Sequence, residues 1–344
     1  MKNRWFGWLT LSVSGVLGVA SEAATAQSSV SLAGTVDGGV RYQTNASASG
    51  GAVTTMNSNG YFSSNKLDFQ GVEDLGGGWN AHFLLESGFN LGNGQFDNTT
   101  GTEFNRQAFV GVGGNYGSID MGRQYTIAHD IVGIYDPFHF HFTPLIPLTV
   151  ASDGTRFNND VKYKGSYGPF RLEVENAFGG VAGAFSSGAS HGIGVNYSSG
   201  PFSIGGLVSH RNLLVGTTYQ GDDYYMAGIG FKFGALNVSG GFMSEDQANA
   251  AATHTVTHNA FGGLSYQISP AWSFIGGYYQ TQVSNDKASR RGLSIVSLAY
   301  SLSKRTILYG EMDYTKYKNA LVTTLNPTGK NSQTAVTVGI DHVF

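Results

Sequence analysis

The chain has 344 residues, no cysteine and a formal net charge of −3 at pH 7. Without cysteine there is neither a disulfide framework nor a lipid-attachment thiol, and a mildly acidic chain with no basic run is not a general nucleic-acid binder. Fifty glycines beside 18 Tyr and 22 Phe argue against a helical protein, because glycine disfavours helix and aromatic side chains suit pleated, half-buried surfaces.

The first residues read as an export signal. Lys2 and Arg4 precede an uncharged apolar stretch from Trp5 to Val19, and Ala24-Thr25-Ala26 forms a small-x-small cleavage site before Gln27. Residues 1–26 are therefore expected to be removed, leaving 27–344 as the folded unit. The apolar stretch is too short for a spanning helix, and no window of about 20 apolar residues follows.

Beyond Gln27 the hydropathy alternates with period two. Val30, Leu32, Gly34, Val36, Gly38, Val40 and Tyr42 interleave with Ser31, Ala33, Thr35, Asp37, Gly39 and Arg41. At roughly 3.3 Å per residue this segment is long enough to cross a bilayer as a tilted strand. The pattern recurs around Phe83, Leu172, Ile229 and Leu308. In Phe104–Val112, however, Arg106 shares its parity with Val110 and Val112.

Tight turns fall near Gly76-Gly77-Gly78, Gly113-Gly114-Asn115, Gly168-Pro169, Gly200-Pro201, Gly234-Ala235, Ser269-Pro270 and Ser303-Lys304. Longer polar connections alternate with them near 45–59, 91–103, 127–155, 180–190, 212–221, 247–256, 284–291 and 318–331. Seven turns and eight loops join sixteen strands, so the chain reads as all-β, a 16-stranded antiparallel transmembrane barrel. A soluble sandwich is excluded by the inward face. It carries Asp37, Arg41, Lys66, Lys162, Lys164, Arg171, Glu173, Glu175, Lys232, Glu311 and Asp313, too many charges for a dry core but acceptable in a wet lumen.

One stretch, Arg123 to Arg156, breaks the pattern. It holds three of the seven prolines (Pro137, Pro144, Pro147) and three of the nine histidines (His129, His139, His141). Prolines at these spacings forbid a continuous helix or paired strand, while the Phe, Ile and Leu content is too apolar for a disordered tail. An ordered irregular loop, packed against something, is expected.

Catalytic and metal signals are weak. Gly188-Ala189-Ser190-His191-Gly192 fits G-x-S-x-G, but an alternating strand follows where a nucleophile elbow needs a helix. His139-x-His141 and His254-x3-His258 lack the further ligands and helical placement of a metal motif, so no metal and no cofactor is expected.

Seven motifs in order then establish a resemblance. They are Ser31–Asp37 (SLAGTVD), Asn65–Gly76 (NKLDFQGVEDLG), Leu85–Asn90 (LESGFN), Phe104–Gly111 (FNRQAFVG), Gly122–Thr126 (GRQYT), Arg156–Tyr163 (RFNNDVKY) and the closing TVGIDHVF. Over its whole mature length the chain resembles Gram-negative trimeric general porins of the betaproteobacterial and neisserial type.

The resemblance implies an outer-membrane channel for passive diffusion of ions and small hydrophilic solutes, with the third loop folded inward as a constriction. It implies a basic wall at Lys66, Arg106, Arg123 and Arg156, facing loop positions Asp130, Asp136, His139 and His141, so that the constriction leans positive. If His139 or His141 lines it, anion preference should rise as pH falls through about 6.5. The terminal Phe344 resembles the end-signal read by the barrel assembly machinery. A homotrimer in outer-membrane lipid and lipopolysaccharide is also implied, and the outward glycines Gly34 and Gly38 would permit barrel-to-barrel packing. The alternatives are a substrate-specific organic-anion channel of the same fold and an outer-membrane barrel hydrolase.

Overall fold

A computed structural model describes residues 29–56, 59–147, 154–249, 253–284, 286–321 and 328–344. The expected export signal, residues 1–26, lies outside the described residues. The chain forms one closed antiparallel sheet with a single short helix described in its loops.

The strands are β1 (Ser29–Gln43), β2 (Val53–Met56), β3 (Lys66–Gly76), β4 (Trp79–Gly88), β5 (Gln107–Gly114), β6 (Gly117–Tyr125), β7 (Arg156–Tyr167), β8 (Phe170–Ala177) and β9 (Ser190–Ser199). They continue with β10 (Phe202–Val215), β11 (Thr218–Phe233), β12 (Leu236–Ala248), β13 (His254–Gln267), β14 (Trp272–Val283), β15 (Asp286–Ser301), β16 (Thr306–Lys318) and β17 (Ser332–Val343). Sixteen of them make the wall. The four-residue β2 is a piece of the first loop that pairs with Val40–Gln43 of β1 above the point where β3 takes over. Pairing of β1 with β17, from Thr35 opposite Val343 to Gln43 opposite Ala335, closes the barrel.

The alternation places the faces as the sequence predicts. Val30 and Leu32 are 74% and 57% exposed on the outside, while Asp37 and Arg41 are 0% and 6% exposed on the inside. All seven predicted tight turns join consecutive strands at one end of the barrel. At Gly168-Pro169 the glycine has φ +58° before the proline, the sign pattern of a type II′ hairpin that matches strand twist.

At the other end two of the expected loops are not loops. β10 and β11 run on to a two-residue turn at Gly216-Thr217, and β14 and β15 are separated only by residues 284–285. Polar composition there reflects strands that continue paired into water, since the backbone ladder is indifferent to what the side chains face.

The third loop spans residues 126–155 and departs from the expected irregular course by starting with a helix, α1 (Ile127–Tyr135). Thr126 caps it by accepting from the His129 N–H at 3.1 Å, and the Glu175 carboxylate on β8 accepts from the Ile127 N–H at 3.0 Å. The helix stops at Asp136 because Pro137 disfavours helical backbone in the residue before it. Pro137 thus delimits a short helix, and no helix continues through the prolines.

The lumen is not uniformly wet. Ile131, Tyr135, Phe138 and Phe142 of the third loop are buried against Leu207, Tyr224, Met226, Met243, Phe261, Tyr279 and Leu293 on the inner wall of β10 to β15. Each such side chain is worth roughly 1.5–3 kcal/mol relative to exposure. Glycines on the wall make the seat: a Cβ on Gly228 would collide with the Tyr135 ring, and one on Gly192 would lie 2.7 Å from Ile127 Cδ1. The apolar loop thus covers one side of the lumen and leaves a polar passage on the other.

The outward glycines of β1 serve packing within the barrel. A Cβ on Gly34 would meet the Phe344 ring at 2.6 Å, and one on Gly38 would meet Leu91 Cδ2 at 3.2 Å. Both spaces are filled from the same chain, which replaces the expectation that they admit a neighbouring barrel.

Candidate pore constriction

A polar cavity lies on the inner wall where β3 begins, β4 ends and loop 3 leaves the wall. Antiparallel register sets Lys66 and Asp68 beside the end of β4, with Asp68 opposite Glu86. Glu86 is fully buried and collects two cations: Lys66 Nζ donates to it at 2.8 Å and Arg106 Nε at 2.7 Å. Lys66 also lies 3.1 Å from Asp68, and Arg106 Nη1 lies 3.9 Å from Asp97. Arg106 sits one residue ahead of β5, so strand alternation does not bind it and its side chain turns inward. That settles the unclear parity of this segment.

Tyr125 and Arg156 are paired residues at the two ends of loop 3. The Tyr125 hydroxyl accepts from Arg106 Nη2 at 2.8 Å and from Arg156 Nη2 at 2.7 Å, so one phenol oxygen holds two arginines. The Arg156 guanidinium lies over the Tyr125 ring, 4.2 Å from its centre. Among the described residues Arg156 has no carboxylate within ion-pair distance, and its buried Nε has no hydrogen-bond partner.

Lys66, Arg106 and Arg156 line one cavity of about 700 Å³ together with Asp97, Tyr125, His129, His139, Phe140 and His141. Arg123 does not line it. Its Nε donates to the Asn105 carbonyl at 2.6 Å, Nη1 donates to Asn158 Oδ1 at 2.5 Å, and the side chain stays partly exposed.

The loop residues divide by role. Asp130 accepts from the buried Lys162 Nζ at 3.0 Å. Burial opposes its charge, but nearby His129 and Lys162 overcome that and hold its carboxyl well below the usual range. Asp136 is completely buried, away from the passage. It accepts from Tyr279 Oη at 2.5 Å, from Phe140 N at 2.8 Å and from Phe138 N at 3.3 Å, and burial raises its carboxyl pKa.

His139 and His141 point to different places. His139 is exposed, with Nδ1 3.0 Å from the Gly133 carbonyl. His141 stacks on Phe62 at 3.9 Å with Nδ1 3.1 Å from the Phe62 carbonyl, and burial pushes its pKa down to about 4. His129, sandwiched between Tyr125 at 3.9 Å and Phe140 at 4.2 Å, is also lowered by burial. His139, Phe140 and Phe142 all have positive φ (48°, 61° and 58°), an unfavourable conformation for bulky residues held here by hydrogen bonds from His139 N and Phe140 N to Asp136 and from Phe142 N to the Phe62 carbonyl.

Sequence reasoning assigned no role to Glu86, Tyr125 or His129. Glu86 and Tyr125 lie inside motifs that carried the resemblance, and Tyr125 stands directly before the loop, which is the one signal pointing to them. Elsewhere, Gly188–Gly192 runs into β9 with no helix after it, and His254 pairs with Asp246 at 2.8 Å. No cluster of three metal-ligating side chains forms among the described residues.

A family model described as Gram-negative porin matches residues 12–320. Outer membrane porin protein 32 of Delftia acidovorans is 30% identical over 349 residues, covering 94% of this chain and 97% of its own. Major outer membrane protein P.IB of Neisseria meningitidis serogroup B is 26% identical over 338 residues, covering 91% and 96%. Among solved structures, an anion-selective porin from Comamonas acidovorans matches with a TM-score of 0.80 at 27% identity, covering 92% of this chain and 100% of that one.

Proposed function

The chain belongs to the Gram-negative porin family, and from that premise we propose that this outer-membrane channel favours anions at a constriction formed by loop 3 against Lys66, Arg106 and Arg156. It is a channel and not an enzyme. Solutes cross because a continuous wet path removes the cost of bringing charge into hydrocarbon. Selection then falls to the charges at the narrowest point.

The observation that carries the reading is the charge count at one cavity. Among the described residues three cations line it against one carboxylate, Asp97, and Arg156 has no acidic partner. Glu86, Asp68 and Asp97 together offset Lys66 and Arg106, which leaves Arg156 as the source of the positive excess. The related structure described as anion-selective supports the same sign.

The remaining parts of the proposal concern assembly. Residues 1–26 direct export and are cleaved, residues 27–344 fold as the barrel, and Phe344 is read by the barrel assembly machinery. The protein is a homotrimer seated in outer-membrane lipid and lipopolysaccharide. Asp130, Asp136, His139 and His141 act on the pore through loop 3, with Asp136 as an anchor.

Reversal potential of the purified protein in a planar bilayer under a potassium chloride gradient tests the selectivity. A potential of the sign set by chloride is expected. A potential of the sign set by potassium would overturn it.

A further inference from the structure

The run Phe138-His139-Phe140-His141-Phe142 splits by side. Phe138 and Phe142 are fully buried in the apolar seat of loop 3, whereas His139, Phe140 and His141 line the constriction cavity. The split depends on the left-handed backbone at His139, Phe140 and Phe142, which ordinary extended or helical backbone does not produce. Strain of this kind persists only where the surroundings hold it, and here it aims rings at the passage.

Those rings are organised. Arg156, Tyr125, His129 and Phe140 form a four-layer stack, with guanidinium to ring at 4.2 Å and successive rings at 3.9 Å and 4.2 Å. His141 stacks on Phe62 nearby. The same cavity holds Lys66, which is paired with Glu86 and Asp68, and Arg156, which among the described residues has no carboxylate partner and no hydrogen-bond partner for its buried Nε. Cationic groups and aromatic edges thus converge in a space of about 700 Å³. Chloride needs only the charges; the rings add nothing to its passage.

We propose that the constriction is a transient binding subsite for aromatic carboxylates, the carboxylate meeting Arg156 and Lys66 while the ring contacts His139 and Phe140. This rests on the anion-favouring reading above and goes further by naming the chemical class. A guanidinium receives a carboxylate through two parallel N–H donors. A ring against ring edges adds a preference for aromatic over saturated acids of like size and charge, about three- to tenfold in half-blocking concentration. Binding at this level is weak enough for release, which throughput requires.

The test is block of chloride current through the native protein in planar bilayers by benzoate and by cyclohexanecarboxylate. Both carry one charge on a six-membered ring, and only benzoate is aromatic. Benzoate is expected to half-block at about three- to tenfold lower concentration. In Phe140→Leu, and independently in His139→Asn, whose new side chain tolerates left-handed backbone, the ratio should fall towards one. Because the ratio is read within each variant, altered conductance does not enter it. Equal block of the native channel, or a ratio preserved in both variants, overturns the aromatic subsite while leaving anion preference standing. A native channel that prefers potassium overturns the proposed function and the subsite with it.

Discussion

The Tyr279 hydroxyl on β14 donates to the Asp136 carboxylate at 2.5 Å, tying the turn after α1 to the far wall of the barrel. Both groups are buried, and the same carboxylate holds the Phe138 and Phe140 N–H groups. This contact fixes where loop 3 stands in the lumen.

Tyr279→Phe should therefore loosen the loop without unfolding the barrel. Leaving a buried acceptor short of a donor costs about 1–3 kcal/mol. Single-channel recordings should show broader conductance levels and more open-channel noise, with heat-modifiability of the barrel retained. Unchanged recordings would mean the apolar seat alone positions the loop.

Arginine substitutions separate the wall from its neighbourhood. Arg156→Ala removes the cation that has no acidic partner among the described residues. About 1 kcal/mol, the interaction of unit charges at 4 Å in water, corresponds to a roughly fivefold loss in the chloride-to-potassium permeability ratio. Arg123→Ala should change it far less, because that side chain is engaged by the Asn105 carbonyl and Asn158 and does not itself line the cavity. Both effects should shrink in strong salt. Equal effects of the two variants would place Arg123 in the ion path.

Burial of His141 sets its part in the pH response. His141, depressed by burial to about 4, stays largely neutral from pH 8 to pH 5, so His141→Phe should not alter the selectivity profile there. Its sign for stability is the opposite of a salt-bridged histidine. A histidine kept neutral by the fold binds fewer protons than in the unfolded chain, so its contribution is present above the ordinary histidine range and lost as pH falls from about 6.5 towards 4. Melting of His141→Phe should depend less on pH in that window than melting of the native protein.

Phe344 stands at the closing seam of the barrel. Phe344 exchanges two backbone hydrogen bonds with Gly34, at 3.1 and 3.2 Å, and its ring fills the space above that glycine. Deleting Phe344 and substituting Gly34→Val should each lower the fraction of heat-modifiable barrel in outer-membrane preparations. Val is the sharper test, because its side chain would also press on the Lys66 carbonyl, 2.6 Å from the position of a Cβ. Wild-type yields from both variants would remove this seam from assembly.

Some of the site was readable from the chain because the relevant information is local. Asp37 and Arg41 alternate with Val36 and Val40, and two-residue periodicity assigns them to the lumen before any contact is known. Glycine and proline at the tight turns announce the strand ends for the same reason. Arg106 was ambiguous because it lies one residue outside its strand, where alternation no longer constrains a side chain. The two hairpins near Gly216 and residues 284–285 were hidden because polar residues mark water contact, and a paired strand in water remains a strand.

The sequence by itself determined a sixteen-strand wall, the face each strand residue occupies, and a third connection too apolar to be left in solvent. Only the tertiary structure decided which arginines share a cavity, because Tyr125, Arg106 and Arg156 meet through one hydroxyl across separate strands. It also decided that α1 rests on wall glycines and that Asp136 anchors the loop rather than facing solutes. Alternation is a property of neighbouring residues along one strand. The constriction is made by residues far apart in the chain, and a strained backbone at His139 and Phe140 is stable only once those distant partners are in place.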